Sequence, residues 1–145
     1  MIVGTDGLRA AGMARHAVGK GAHRLIPDLN ERTLYYWQGG VTGELRLLTC
    51  LACDFISHPW TPQCLKCGRS TLRPSAVPGQ GSVYAFTVNA RQWRDEVESP
   101  YVLALVELDV QAGLRLLANV VGCPPDEVRI DMPVIVQFEY LAENH

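Results

Sequence analysis

Four stretches in the second half of the chain carry the apolar pattern of β-strands. VIVQFEY, 134–140, turns Val134, Val136, Phe138 and Tyr140 one way and Gln137 and Glu139 the other. LRLLANVV, 114–121, sets Leu114, Leu116, Ala118 and Val120 against Arg115 and Asn119. GSVYAFTVN, 81–89, puts Tyr84, Phe86 and Val88 on one face, although Val83 and Ala85 leave the other only partly polar. YVLALVEL, 101–108, is apolar in both registers until Glu107, as in a strand covered on each side. A short fifth strand is expected near Val128 to Ile130. Between these runs, Pro124 to Glu127 predicts a single helical turn, and Pro133 opens the last strand.

The first half reads differently. Glycines at 4, 7, 12, 19 and 21 interrupt any period in residues 1–27. A short helix over Leu8 to Val18 and an extension that orders only against a partner both fit. Asp28 or Asn30 can cap a helix through Leu34, Tyr35 and Trp37 that stops at Gly39 and Gly40. Its apolar face is covered either by the chain's own barrel or by a neighbouring subunit. GELRLLT, 43–49, is a strand, and PGQG, 78–81, is a turn. The expected organisation is an extension at 1–27, a helix and linker at 28–43, a cysteine-bearing ribbon at 44–77 and a barrel at 78–145. Short strands without alternating long helices point to a mainly β chain ending in a small antiparallel barrel of the OB type.

Four of the five cysteines form two close pairs, CLAC at Cys50 and Cys53 and CLKC at Cys64 and Cys67. Two residues between members let both sulfurs face one ion, and the loop between pairs folds the second onto the first. Four thiolates leave no open position, so the expected cofactor is one structural Zn2+ that folds the ribbon without acting as a Lewis acid. An iron-sulfur centre, a metal-free relic and a dithiol redox site are the alternatives. His58, between the pairs, reads as a loop residue rather than a replacement ligand. Cys123 reads as a small core hydrophobe.

Composition narrows the function. Hydrophobic residues at 48% against 19% charged describe a folded chain. No apolar run reaches the roughly 18 residues of a membrane helix, no signal-like stretch opens the chain, and the thiol pairs suit a reducing compartment. A cytoplasmic location with no membrane partner is therefore expected. The net charge of -2 hides an asymmetry: residues 1–79 carry nine Lys/Arg and five Asp/Glu, whereas residues 80–145 carry four Arg and ten Asp/Glu. A barrel that acidic repels a phosphate backbone, which argues against a nucleic-acid partner. The histidines lie at 16, 23, 58 and 145, outside the barrel strands, and no glycine-rich phosphate loop is present, so no catalytic residues are assigned. The segment from Asn89 to Pro100 is long enough to project, and Arg91, Trp93 and Arg94 on it are candidate partner or ligand contacts. In the alternative, Trp93 folds back over the barrel end.

With these residues in view, the sequence resembles the DUF35 family, rubredoxin-like zinc ribbon plus OB-fold proteins associated with acyl-CoA metabolism. LYYWQGG, GEL, the CxxC and CxxCG pairs with Pro59 and Pro62 between them, and GQGSVYAFTVN carry the resemblance. PYVLALVELD, LANVVGC and VRIDMPVIVQFE continue it, so that it runs from about Leu34 to Tyr140 and leaves out residues 1–27. It implies an accessory, non-catalytic subunit of a thiolase-like acyl-CoA enzyme, in a hetero-oligomer whose partner holds the catalytic groups. Gln92 and Trp93 before a Pro-Tyr strand resemble the actinobacterial steroid side-chain degradation branch, which implies a retro-aldolase partner acting on a hydroxyacyl-CoA thioester. The helix aromatics Tyr35 and Trp37 join the loop residues as expected contacts with that partner or with CoA. The alternatives are an acyltransferase, thiolase or enoyl-CoA hydratase complex, or a stand-alone acyl-CoA-binding or nucleic-acid-binding module.

Overall fold

The computed structural model describes residues 2–4, 29–92 and 99–138. Trp93 and Arg94, the Leu8 to Val18 helix and the end of the 134–140 run therefore lie outside the described residues. The elements are β1 (Ile2–Gly4), α1 (Leu34–Thr42), β2 (Leu45–Cys50), β3 (Ile56–Ser57), β4 (Leu72–Val77) and β5 (Gln80–Asn89). They continue with β6 (Tyr101–Leu108), β7 (Arg115–Val121), a 3-10 turn (Pro125–Glu127) and β8 (Pro133–Gln137). The strands form a three-stranded sheet, β3-β2-β4, and a closed barrel in the order β1-β7-β6-β5-β8. This is the mainly β architecture that the strand spacing predicts. Among the described residues no helix is long and apolar enough to cross a membrane.

The inward register of the barrel is apolar throughout. Val102, Ala104, Val106 and Leu108 of β6 face Leu116 and Ala118 of β7 and Val83 of β5, all at most 3% exposed. Each fully buried Val or Leu contributes roughly 1.5–3 kcal/mol over its exposed state. The register of β5 departs from simple alternation. A bulge between Val83 and Ala85 lets Val83 pair with Val106 and Phe86 with Ala104, so both point inward while Tyr84 turns out. Tyr84 is therefore 48% exposed instead of sharing a face with Phe86.

The fifth strand does not lie at Val128 to Ile130. Val128 is buried, but Ile130 is 53% exposed, and the chain turns at Asp131 with φ 62. Closure comes instead from Ile2–Gly4, parallel to β7 and antiparallel to β8, with Val3 opposite Val120 and Val136 and fully buried.

Helix α1 also differs from expectation. Asn30 organises a turn before it: its side-chain oxygen accepts the Arg32 N–H at 2.9 Å and its carbonyl accepts those of Thr33 and Leu34. The helix passes through Gly39 and Gly40 and ends at Gly43, whose φ of 71 suits glycine. A Cβ at Gly39 would overlap the Glu44 carbonyl oxygen, so glycine there serves close packing rather than termination.

The cysteine-bearing sheet is joined to the barrel in two ways. Leu45, Leu47 and Ile56 belong to the same hydrophobic cluster as the barrel strands. In addition, Gln111, in the turn between β6 and β7, acts as a strand neighbour to β3. Its Oε1 accepts the Ile56 N–H at 2.7 Å and its Nε2 donates to the Ile56 carbonyl at 2.9 Å.

Candidate metal centre

Two tight loops of the same geometry bring the four cysteines together. In the first, the Asp54 N–H donates to the Cys50 carbonyl at 2.9 Å and the Cys50 N–H to the Phe55 carbonyl at 3.0 Å. In the second, the Gly68 N–H donates to the Cys64 carbonyl at 2.9 Å and the Cys64 N–H to the Arg69 carbonyl at 2.8 Å. The residue after each second cysteine is left-handed, Asp54 at φ 57 and Gly68 at φ 72. Strand β2 delivers Cys50 at its end, and the Cys50–Leu72 pairing with β4 holds the ribbon closed behind it.

All four sulfurs lie within 4.8 Å of one another. Cys50 Sγ is 3.7 Å from Cys67 Sγ, and Cys53 Sγ is 3.6 Å from Cys64 Sγ. A tetrahedron of thiolates about 2.3 Å from a central ion has edges of roughly 3.8 Å, which these two sulfur pairs already match, so the cage is of a size to hold one ion. Its electrostatics call for a cation. The Ala52 N–H, ahead of the Thr71 hydroxyl and the other thiols, pulls Cys50 down to about 6. At Cys53 the Phe55 N–H favours the thiolate, but burial and the three neighbouring thiols outweigh it and hold the proton up to about 12. Burial opposes ionisation at Cys64, and the N–H groups of Cys67 and Lys66 overcome it, so that thiol is lowered. Four sulfurs this close cannot all ionise unless a positive charge sits between them.

His58 lies apart from the cage, its ring tilted 30° against Tyr36 at 5.1 Å, and burial lowers its pKa. Cys123 is partly buried against the barrel core. Of the expected contact residues, Tyr35 and Trp37 are half-buried on α1, Trp37 standing edge-on to Tyr36 at 5.1 Å, and Arg91 is exposed beyond β5.

Three features escaped the sequence reading. Tyr36 is the helix aromatic that packs against the core. The Arg32 guanidinium stacks over Trp60 at 4.6 Å, tying the turn before α1 to the ribbon loop. Leu51 and Leu65, at equivalent points of the two cysteine loops, are 59% and 70% exposed. The repeated C-L-x-C spelling is the signal that could have found this last pair.

The family model for the C-terminal OB-fold domain of ChsH2 matches residues 75–139. A probable enoyl-CoA hydratase alpha subunit of Thermomonospora curvata is 34% identical over 117 residues, 81% of this chain and 36% of that protein. The 3-oxo-4,17-pregnadiene-20-carboxyl-CoA hydratase alpha subunit of Mycobacterium tuberculosis is 32% identical over 108 residues, 74% of this chain and 34% of its own. The chain thus spans about a third of the length of these two relatives. A DUF35 domain-containing scaffold protein of Methanocaldococcus jannaschii is 33% identical over 97 residues, 66% of this chain and 67% of that protein. Among solved structures, a chain of the Ltp2-ChsH2(DUF35) aldolase matches with a TM-score of 0.73 and 32% identity, over 82% of this chain and 92% of that one.

Proposed function

Because the chain belongs to the DUF35 family, with a ChsH2-type OB-fold barrel and a four-cysteine centre, we propose that it is a non-catalytic subunit supporting a thiolase-like aldolase. Retro-aldol cleavage of a hydroxyacyl-CoA thioester takes place on the partner, and this chain stabilises the assembly and helps shape the acyl-CoA site. The observation that carries this reading is the likeness, over 92% of its length, to a chain of the Ltp2-ChsH2(DUF35) aldolase, spanning ribbon and barrel together. The name of the mycobacterial relative favours a steroid side chain as the acyl group.

The ion is Zn2+. Its support is the thiolate-only donor set and the size of the cage. With every position filled by sulfur, the ion folds the ribbon, and the ribbon then presents Leu51 and Leu65, and helix α1 Trp37 and Tyr35, toward a partner. Arg91, exposed beyond β5, extends that contact, and Trp93 and Arg94 are sequence candidates for it outside the described residues. Co-expression with a thiolase-like aldolase subunit is expected to give a defined hetero-oligomer by light scattering, and cleavage of a steroid hydroxyacyl-CoA only when both chains are present. Turnover by the isolated chain, or failure to associate with any such subunit, would overturn the reading. An enoyl-CoA hydratase complex is the second possibility, favoured by the two hydratase alpha subunits, and hydration in place of cleavage would mark it.

A further inference from the structure

The four cysteines of the cage are not equally protected. Cys50 and Cys64 are 0% and 3% exposed and Cys53 is half-buried, whereas Cys67 is exposed. The difference lies in what stands behind each loop. The first runs into half-buried Phe55 and buried Ile56, while every residue of the second from Leu65 to Ser70 is exposed. The two buried sulfurs also have close neighbours besides the other thiols: the Thr71 hydroxyl lies 3.7 Å from Cys50 Sγ, and the Lys66 N–H donates to Cys64 Sγ at 3.4 Å. A small reagent arriving from solvent therefore meets Cys67 first.

Cys67 also has a second thiol within reach. Cys50 Sγ, from the other loop, is 3.7 Å away, and a disulfide needs the two sulfurs to close to about 2.05 Å. We propose that Cys67 is an oxidation site, at which a hydroperoxide converts the four-thiolate cage into a Cys50–Cys67 disulfide and so releases the ion. A metal-binding thiolate is also a nucleophile. The Cys67 thiolate attacks one peroxide oxygen, the O–O bond breaks with departure of hydroxide, and Cys67 becomes a sulfenic acid. The Cys50 thiolate then attacks that sulfur, forms the S–S bond and displaces a second hydroxide. Two electrons pass from the thiolates to the peroxide, and two protons from solvent turn the hydroxides into water. Cys53 and Cys64, one sulfur from each loop, remain, and two donors are too few to hold a tetrahedral ion. Reduction of the disulfide by a thiol restores the cage, which makes the ribbon a reversible peroxide-sensitive switch.

The test uses the zinc-loaded full chain without a partner, so its outcome is separate from that of the accessory reading. Hydrogen peroxide is added, released zinc is followed with a chromogenic chelator, and linkages are mapped by mass spectrometry of the unreduced digest. One ion per chain is expected to leave as two thiols are lost, with Cys50–Cys67 the first linkage, and dithiothreitol with added Zn2+ should restore the loaded protein. Cys123→Ser removes the one thiol outside the cage and is expected to release zinc at the wild-type rate. Brief treatment of the loaded wild type with N-ethylmaleimide should label Cys67 about tenfold faster than the other cage cysteines, as its exposure requires. A first linkage other than Cys50–Cys67 overturns the proposal. So does equal labelling of the four thiols, or zinc that stays bound in wild type or Cys123→Ser while glutathione in the same solution is oxidised.

Discussion

Two residues in equivalent places, Asp54 and Gly68, have different side chains and the same left-handed backbone. No atom lies within 4 Å of a Cβ built at Gly68, so Gly68→Ala meets backbone strain alone, about 1–2 kcal/mol. Its expected effect is a roughly 5–30-fold weaker hold on the metal, read by chelator competition. Asp54→Gly is expected to match or exceed wild type in the same assay, because glycine relieves the strain that Asp tolerates there. Tyr36 allows a second prediction. Burial first, and neighbouring Tyr35 second, push its hydroxyl from 10.0 up to about 12. The folded chain therefore keeps a proton that the unfolded chain releases, so this contribution is full below pH 10 and is lost as pH rises toward 12. The loss is about 2–3 kcal/mol in denaturant midpoints followed across that range, and Tyr36→Phe should flatten it. An equal alkaline slope in the variant would assign the fall to other groups. At this scale the cysteines were fully legible, because ligand spacing is written in consecutive residues. Tyr36 was not, because which of three adjacent helix aromatics faces inward depends on where the sheet lies.

Elements were legible where one period governed them. Strand β6 runs from Tyr101 to Leu108 as its apolar run predicts, and β7 buries Leu116, Ala118 and Val120 as alternation requires. The misread elements each follow from a tertiary effect. The helix outlasts Gly39 and Gly40 because the Glu44 carbonyl and Phe138 occupy the space their side chains would take. The short β1 has no period to detect, and its partners lie at the far end of the chain. The joint between the cysteine-bearing sheet and the barrel was equally invisible, since it depends on one glutamine in a turn. Gln111 satisfies both backbone groups of Ile56, which is 8% exposed. Gln111→Ala leaves that pair without its partner at a cost of about 1–3 kcal/mol. The expected result is a lower denaturation midpoint, faster hydrogen exchange at the Ile56 amide and unchanged metal content. Unaltered exchange at Ile56 would mean that the glutamine is not what holds the joint.

At the scale of the whole molecule, the question is how far the metal's influence extends. A four-thiolate ion contributes folding free energy directly, because the unfolded chain has no preformed cage. If ribbon and barrel were separate bodies, removing the ion would melt only the first. Leu45, Leu47 and Ile56, however, share one core with Val83, Val106 and Leu116, and Gln111 reaches across to β3. Losing the ribbon would therefore expose the barrel's covered side and unseat the turn between β6 and β7. Metal-loaded protein is expected to unfold in one cooperative transition, with ribbon and barrel probes coincident. Cys64→Ser, or chelation, should lower that midpoint as a whole, by an amount that grows with the logarithm of free metal over its dissociation constant. Two separated transitions, with β6 and β7 amides still protected after metal loss, would show that the barrel stands without the ribbon. A single shifted transition makes the ion a staple for the barrel as well as the ribbon, so metal depletion is expected to speed hydrogen exchange at the β6 and β7 amides although those strands lie on another sheet.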